Sequence, residues 1–189
     1  MEDRRVRRTR ERLRESLLAL LGEKDLRAVT VKELTDRADV NRGTFYAHYR
    51  DIYDMLERME EELFEEFTAL LDAYTQADLE RGLEPILRDV FFFVDRHAML
   101  CLRLMAGDQE NVFFQRLRRE IHRRAMEDWG ELYGFAAAPD GERQLAFVVS
   151  GAIGMVQSWL TDGRKEPPED MAALTGALIL HGIQSRRER

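Results

Sequence analysis

Between Ile52 and Thr75, large apolar side chains recur at three- and four-residue steps: Met55, Met59, Leu63, Phe67, Leu70, Leu71 and Tyr74. That period marks one face of an α-helix, and such a stripe has to be buried against other helices. Glu60, Glu61, Glu62, Glu65 and Glu66 fill the remaining circumference as a solvated face. The same period extends through most of the chain. Residues 4–21 place Val6, Leu13, Leu17, Leu20 and Leu21 on one face, with arginines around them. Residues 169–185 supply Met171, Leu174, Leu178 and Ile179 as a stripe. Residues 83–105 are apolar nearly all round, which predicts one deeply buried helix. Residues 142–162 carry Ser150, Gly151 and Gly154 among large apolar neighbours. Glycine costs a helix about 1 kcal/mol relative to alanine, so its repeated use predicts close approach by another helix.

Only four prolines occur, and no alternating β-branched run is bounded by hairpin turns. Breaks are expected at Gly22–Asp25, Ala38–Asn41, Arg50–Asp51, Arg81–Gly82, Gly107–Asp108, Ala138–Gly141 and Gly163–Pro168. The fold class is therefore all-α. The 189 residues leave room for a small domain and a larger one, set at 1–51 and 52–189.

The net charge of −7 by itself argues against a nucleic-acid partner, but its distribution reverses that reading. Residues 1–50 hold 13 Lys and Arg against 9 Asp and Glu, and residues 51–189 hold 16 against 27. A basic head on an acidic body suggests that the head alone meets a polyanion. Cys101 is the sole cysteine, which excludes an internal disulfide and a cysteine-based zinc site. The four histidines lack metal-ligand spacing, so neither metal nor cofactor is expected. There is no unbroken apolar run of about 18 residues, so no membrane span or membrane partner is expected. The arginine-rich start lacks the apolar core of a secretion signal, which points to the cytoplasm.

The informative stretch runs from Thr30 to Tyr49, TVKELTDRADVNRGTFYAHY. Thr30 and Glu33 have the spacing of a capping box, which starts a short helix. Val31, Leu34 and Ala38 face inward, and the helix ends near Ala38–Asp39. Asp39 suits a left-handed turn residue, Val40 plugs the turn, and Asn41 caps the next helix. That helix, about 42–48, turns Phe45 and Tyr49 to the core and leaves Arg42, Thr44, Tyr46 and His48 outward. Helix, tight turn and second helix with polar and aromatic outward residues is the helix-turn-helix arrangement. Arginine reads guanine, threonine touches the thymine methyl, and hydroxyls and imidazole reach phosphates. Gly43 removes a side chain where the backbone comes close to DNA or a neighbouring helix.

These residues resemble the TetR family of transcription regulators, most densely in NRGTFYAHYRDIYDML. Asn41, Gly43, Phe45–Tyr46, His48 and Tyr49 carry the resemblance, which covers about the first third of the chain. It departs at two positions. Asp39 stands where the family usually has glycine, and Ile52 stands where it often has a phosphate-binding lysine. Arg50 is the candidate to supply that charge. The resemblance implies that Thr30 and Tyr46 clamp phosphates, Tyr49 mainly packs, and Arg42 and Thr44 face base edges. Lys32, Asn41, Gly43, His48 and Arg50 complete the expected DNA-binding set, and Arg4, Arg5, Arg7 and Arg8 are candidates for further backbone contact.

The resemblance further implies an N-terminal three-helix DNA-binding domain and a helical-bundle domain that holds a small-molecule ligand and dimerises. The expected partners are a pseudo-palindromic double-stranded operator, a second copy of the chain, and an unidentified ligand. Candidate pocket residues are Phe67, Leu71, Phe92, His97, Arg103, Met105, Phe113, Trp129 and Phe147. Candidates for the dimer interface are Gly151, Gly154, Met155, Trp159, Leu174 and Leu178. The expected function is a repressor released by its ligand. The alternative is a helical adaptor or coactivator that acts by protein contact. An enzyme is not expected: there is no phosphate loop, and helical spacing points Asp95 and His97 apart, so with Asp89 they form no acid–base group.

Overall fold

The computed structural model describes residues 4–105, 112–127 and 139–187, all of whose regular elements are helices. The chain divides into two compact units, Met1–Leu63 and Phe64–Arg189. The first unit takes in the start of a long helix, where Ile52, Met55, Leu56, Met59 and Leu63 are buried.

The N-terminal unit contains α1 (Arg4–Glu23), a 3-10 turn (Leu26–Ala28), α2 (Val31–Ala38), α3 (Arg42–Tyr46) and the first half of α4 (Ile52–Asp72). Leu13, Leu17 and Leu20 of α1 are buried, as are Leu34 and Ala38 of α2, and α1 packs on α2. Ion pairs fasten the rims: Arg37 to Glu23 at 2.7 Å, Lys24 to Glu33 at 2.5 Å and Arg10 to Glu62 at 2.6 Å. Arg14 also pairs with Glu62.

The C-terminal unit contains the rest of α4, then α5 (Gln76–Glu80), α6 (Glu84–Arg96), α7 (Ala98–Met105), α8 (Val112–Glu127), α9 (Gly141–Thr161) and α10 (Pro168–Arg187). α10 packs along α6, and α9 packs on α8, α10 and α7. Ala125, Leu145, Val149 and Ile153 form one buried cluster between α8 and α9. α9 alone among the described helices is long and apolar enough to cross a bilayer, by length and composition only, and its Leu145, Val149 and Ile153 side belongs to that cluster.

Two sequence expectations need correction. Residues 83–105 form two helices broken at His97 (φ −105°, ψ 19°), and they are not buried all round: Phe92 is 40% and Met99 48% exposed. No glycine or proline marks the break. Arg164, from the α9–α10 turn, reaches the Asp95 carbonyl (3.3 Å) and carboxylate (2.6 Å) at the end of α6. The second correction concerns Gly151 and Gly154. Both are exposed, and a Cβ at either would meet nothing within 4 Å among the described residues, so no helix of the same chain closes on them. The expected break at Gly107–Asp108 lies outside the described residues.

Phe45 is fully buried beneath α3. Phe45→Ala is expected to cost about 3–5 kcal/mol, the usual penalty for emptying a buried aromatic site. Chemical denaturation should show a large drop in the midpoint of the N-terminal unit.

Candidate nucleic-acid interface

α2 begins at a complete capping box. The Thr30 hydroxyl accepts from the Glu33 N–H (3.2 Å), and the Thr30 N–H donates to the Glu33 carboxylate (3.2 Å). The Lys24 ammonium and the Thr30 hydrogen bonds hold the Glu33 carboxyl below its ordinary range. Asp39 ends the helix at φ 52°, ψ 51°, the left-handed conformation expected of it. Its carboxylate accepts from Arg12 at 2.9 Å, which secures the turn to α1. The Val40 N–H returns to the Thr35 carbonyl at 3.0 Å.

Asn41 then caps α3 by accepting from the Gly43 N–H at 2.7 Å. A Cβ on Gly43 would sit 3.2 Å from that same oxygen, so the missing side chain makes room for the cap. α3 is shorter than the expected 42–48, and Ala47 and His48 continue as a turn. Phe45 and Tyr49 lie inward with rings 5.6 Å apart. Tyr46 stands edge-on to Phe45 at 5.4 Å and is 58% exposed. Asn41, Arg42 and Gly43 are exposed, Thr44 and His48 are half-buried, and Lys32 and Thr30 are exposed on the first turn of α2. Tyr49, counted with the DNA-binding set but expected mainly to pack, only packs: at 2% exposure it can support the surface but not touch a ligand.

After α3 the chain turns at Arg50 and Asp51 into α4. The Asp54 carboxylate accepts the Arg50 N–H (2.9 Å), Nε (3.1 Å) and Nη2 (3.0 Å). The Arg50 backbone bond, with Arg50 and Arg58 nearby, holds the Asp54 carboxyl below its ordinary range. The Arg50 side chain remains 77% exposed. Ile52 is buried, so the position of the family's lysine is a core position here. Tyr53, which sequence reasoning passed over, is 56% exposed on the first turn of α4.

Among the described residues, the expected pocket residues of the C-terminal unit are not gathered around one cavity. Phe67 meets Phe93 at 5.7 Å, and Phe93 meets His97 at 4.6 Å, with His97 Nε2 3.1 Å from the Glu66 carboxylate. Phe113 packs edge-on to Phe64 at 6.4 Å. Arg103 and Met105 are half-buried on α7. Phe92 and Phe147 need correction as pocket residues, because both are exposed, Phe147 by 78%. Trp129 lies outside the described residues. A half-open cavity of about 400 Å³ is lined instead by Leu71, Asp72, Tyr74, Thr75, Gln76, Arg124 and Glu127. Leu71 alone was expected there. Burial, then a 2.7 Å bond to Asp89, pushes the Tyr74 hydroxyl up to about 12.

Of the dimer candidates, Leu174 and Leu178 are 49% and 57% exposed on α10, and Met155 is half-buried. Trp159 needs correction. It is 2% exposed, packs edge-on to Phe91 at 5.4 Å and donates Nε1–H to the Glu166 carbonyl at 2.9 Å, so it has no surface left for a partner. Asp89, Asp95 and His97 take separate partners in Tyr74, Arg164 and Glu66, and do not meet as an acid–base group.

Two family models match the chain. "Bacterial regulatory proteins, tetR family" covers residues 13–59, and "Transcriptional regulator C-terminal region" covers residues 82–181. The uncharacterized HTH-type transcriptional regulator YxbF of Bacillus subtilis (strain 168) is 37% identical over 67 residues, which are 35% of this chain and 18% of that protein. The fatty acid degradation regulator FadR of Bacillus halodurans superposes with a TM-score of 0.69 at 16% identity, over 92% of this chain and 95% of that one. SmeT in its triclosan complex superposes with a TM-score of 0.64 at 14% identity, over 92% and 90%. These matches favour a DNA-binding regulator over an adaptor that acts by protein contact alone. The chain belongs to the TetR family of bacterial transcription regulators.

Proposed function

We propose that this protein is a cytoplasmic repressor whose homodimer seats two helix-turn-helix heads on a pseudo-palindromic DNA operator and leaves it when a small molecule binds the C-terminal unit. The observation that carries the reading is the outward face of α3. Its capped, aromatic-backed helix displays Asn41, Arg42 and Tyr46 to solvent, where a merely solvated helix would display glutamate and lysine. Arg42 and Thr44 read base edges; Thr30, Lys32, Tyr46, His48 and Arg50 meet phosphates.

One such head has a small footprint, so specific binding needs two, about 34–36 Å apart. Leu174 and Leu178 on α10, together with Phe147, Gly151 and Gly154 on α9, form exposed surface that a second copy covers. The ligand acts through α4, which starts directly after the recognition helix and ends in the C-terminal unit. Phe67 and Leu71 are buried on its second half, and Leu71 and Asp72 border the 400 Å³ cavity. The structural neighbour SmeT was solved in complex with triclosan, which supports a small-molecule ligand for this unit.

Three outcomes test this reading. On an operator selected from random duplexes, Arg42→Ala should lose about 1–3 kcal/mol and relax sequence preference at one base pair. Tyr46→Phe should weaken specific and nonspecific binding alike. Equal affinity of both variants and the wild type removes the recognition-helix assignment.

Light scattering at micromolar concentration should give the mass of a dimer. Replacing Leu174 and Leu178 together by Asp should give a folded monomer, because both side chains are already exposed in the single chain. A wild-type monomer rejects the assembly.

Finally, hydrophobic and anionic metabolites that raise the melting temperature should lower operator affinity, by about 5- to 150-fold for a typical coupling. If every binder leaves DNA affinity unchanged, α4 transmits nothing.

A further inference from the structure

Ile52 leaves a gap in the phosphate-binding set. Its side chain is 4% exposed, so the position that carries lysine in related chains offers a phosphate nothing. The nearest cation in sequence after the recognition helix is Arg50, and its guanidinium is held. Nε and Nη2 both donate to Asp54 Oδ1, at 3.1 and 3.0 Å, while the Arg50 backbone N–H donates to Asp54 Oδ2 at 2.9 Å. One carboxylate thus fixes both the main chain and the head group of Arg50.

Asp54 is itself fixed. Its side chain is 7% exposed although it lies on the first turn of α4. Its N–H donates to Asp51 Oδ1 at 2.8 Å, and Arg58 Nε stands 3.4 Å from Oδ2. Arg58 in turn lies over the Tyr49 ring, 5.7 Å from its centroid. The two-pronged grip occupies one edge of the Arg50 guanidinium. Nη1, on the other edge, takes no part in that grip, and the side chain as a whole is 77% exposed.

The geometry points to Asp54 as a positioning residue for DNA binding: a buried carboxylate that holds Arg50 at the exit of the recognition helix, with its outer edge set to receive a DNA phosphate in place of the absent lysine. This rests on the reading that the α2–α3 face binds duplex DNA. Charge alone gives the opposite sign, because an anion beside a phosphate site weakens binding and its removal should strengthen it. Asp54 helps only through what it does to Arg50. A long, rotamer-rich side chain that is already ordered loses less freedom on binding, and a planar guanidinium held along one edge keeps a defined orientation for the other.

The test uses the full chain and a random-sequence duplex, with fluorescence anisotropy between about 50 and 200 mM salt, a range over which phosphate contacts report strongly. Asp54→Asn should bind about 2- to 10-fold more weakly than the wild type, the penalty for immobilising one such side chain, even though the variant is less acidic. Arg50→Ala should bind more weakly and lower the salt slope by about 1. In the Arg50→Ala background, Asp54→Asn should cause no further loss.

Asp54→Asn that melts like the wild type and binds as tightly or more tightly overturns the proposal. So does an equal loss with and without Arg50, which would mean that Asp54 acts through the fold alone. If Asp54→Asn does not fold by circular dichroism, Arg50→Lys decides. Arg50 is exposed, and lysine keeps the charge without the two-pronged grip, so the proposal expects a loss of the same 2- to 10-fold size and wild-type affinity overturns it. A wild-type chain that does not bind duplex DNA at all overturns the parent reading together with this one, whereas unchanged affinity in the variants overturns this one alone.

Discussion

A five-residue helix cannot hold itself together in water. Nucleation fixes several backbone dihedrals for each hydrogen bond gained, and isolated helices are marginal below about 12–15 residues. α3 has only Arg42–Tyr46, so its existence depends on burial of Phe45 and, just beyond it, Tyr49. Full burial of one such aromatic contributes about 1.5–3 kcal/mol, more than any surface contact nearby. The N-cap from Asn41 contributes roughly another 1 kcal/mol and fixes where the helix starts. The proposed function draws on this dependence. Because the inner face is anchored by aromatics, Arg42 and Tyr46 project from a fixed base, and a ligand need not order the helix when it binds.

The ion pairs around the head play a different part. Arg12–Asp39, Arg37–Glu23 and Lys24–Glu33 are partly solvent-exposed, and pairs of that kind are worth about 0–1 kcal/mol each. They do not hold α1 on α2; Leu13, Leu17, Leu20 and Leu34 do. What the pairs supply is direction. Arg12 meets Asp39 at the one non-glycine residue of the turn in the left-handed region, where side-chain support offsets part of a backbone preference of roughly 1–2 kcal/mol. The turn therefore keeps its geometry without the family's glycine.

Features governed by local chemistry were legible in the sequence. The Thr30–Glu33 capping box, the left-handed Asp39, the Asn41 cap and the inward Phe45 each follow from residue types a few positions apart, and each stands as expected. α5 had the same signal in Thr75 and Asp78, three apart, and was passed over. The Arg50–Asp54 grip was also within reach as a pair four residues apart. Features set by distant partners left no local mark. The break at His97 carries no glycine or proline, and Arg164 reaches the end of α6 from 69 residues away. Trp159 and Phe147 show the limit of composition. Both are large aromatics on α9, yet one is buried against Phe91 of α6 and the other is 78% exposed, because the side of the helix each occupies decides the matter.

The charge pattern is compatible with a polyanionic partner at the proposed site despite a net charge of −7. At physiological salt, electrostatic influence between exposed charges fades over about 8 Å, so the sum over the chain matters less than the charges beside each phosphate. On the α2–α3 face and its exit, Lys32, Arg42 and Arg50 are exposed, and the acids nearest them in sequence are engaged: Glu33 with Thr30 and Lys24, Asp39 with Arg12, Asp51 with the Asp54 N–H, and one turn further on Asp54 with Arg50 and Arg58. An acid engaged in this way stabilises local structure while presenting less free negative charge. On the proposed reading, the acidic residues concentrated after position 51 oppose nonspecific adhesion to nucleic acid and leave affinity to a small set of positioned cations. Binding of that kind depends on where each guanidinium points, and geometry at the head matters more than overall charge.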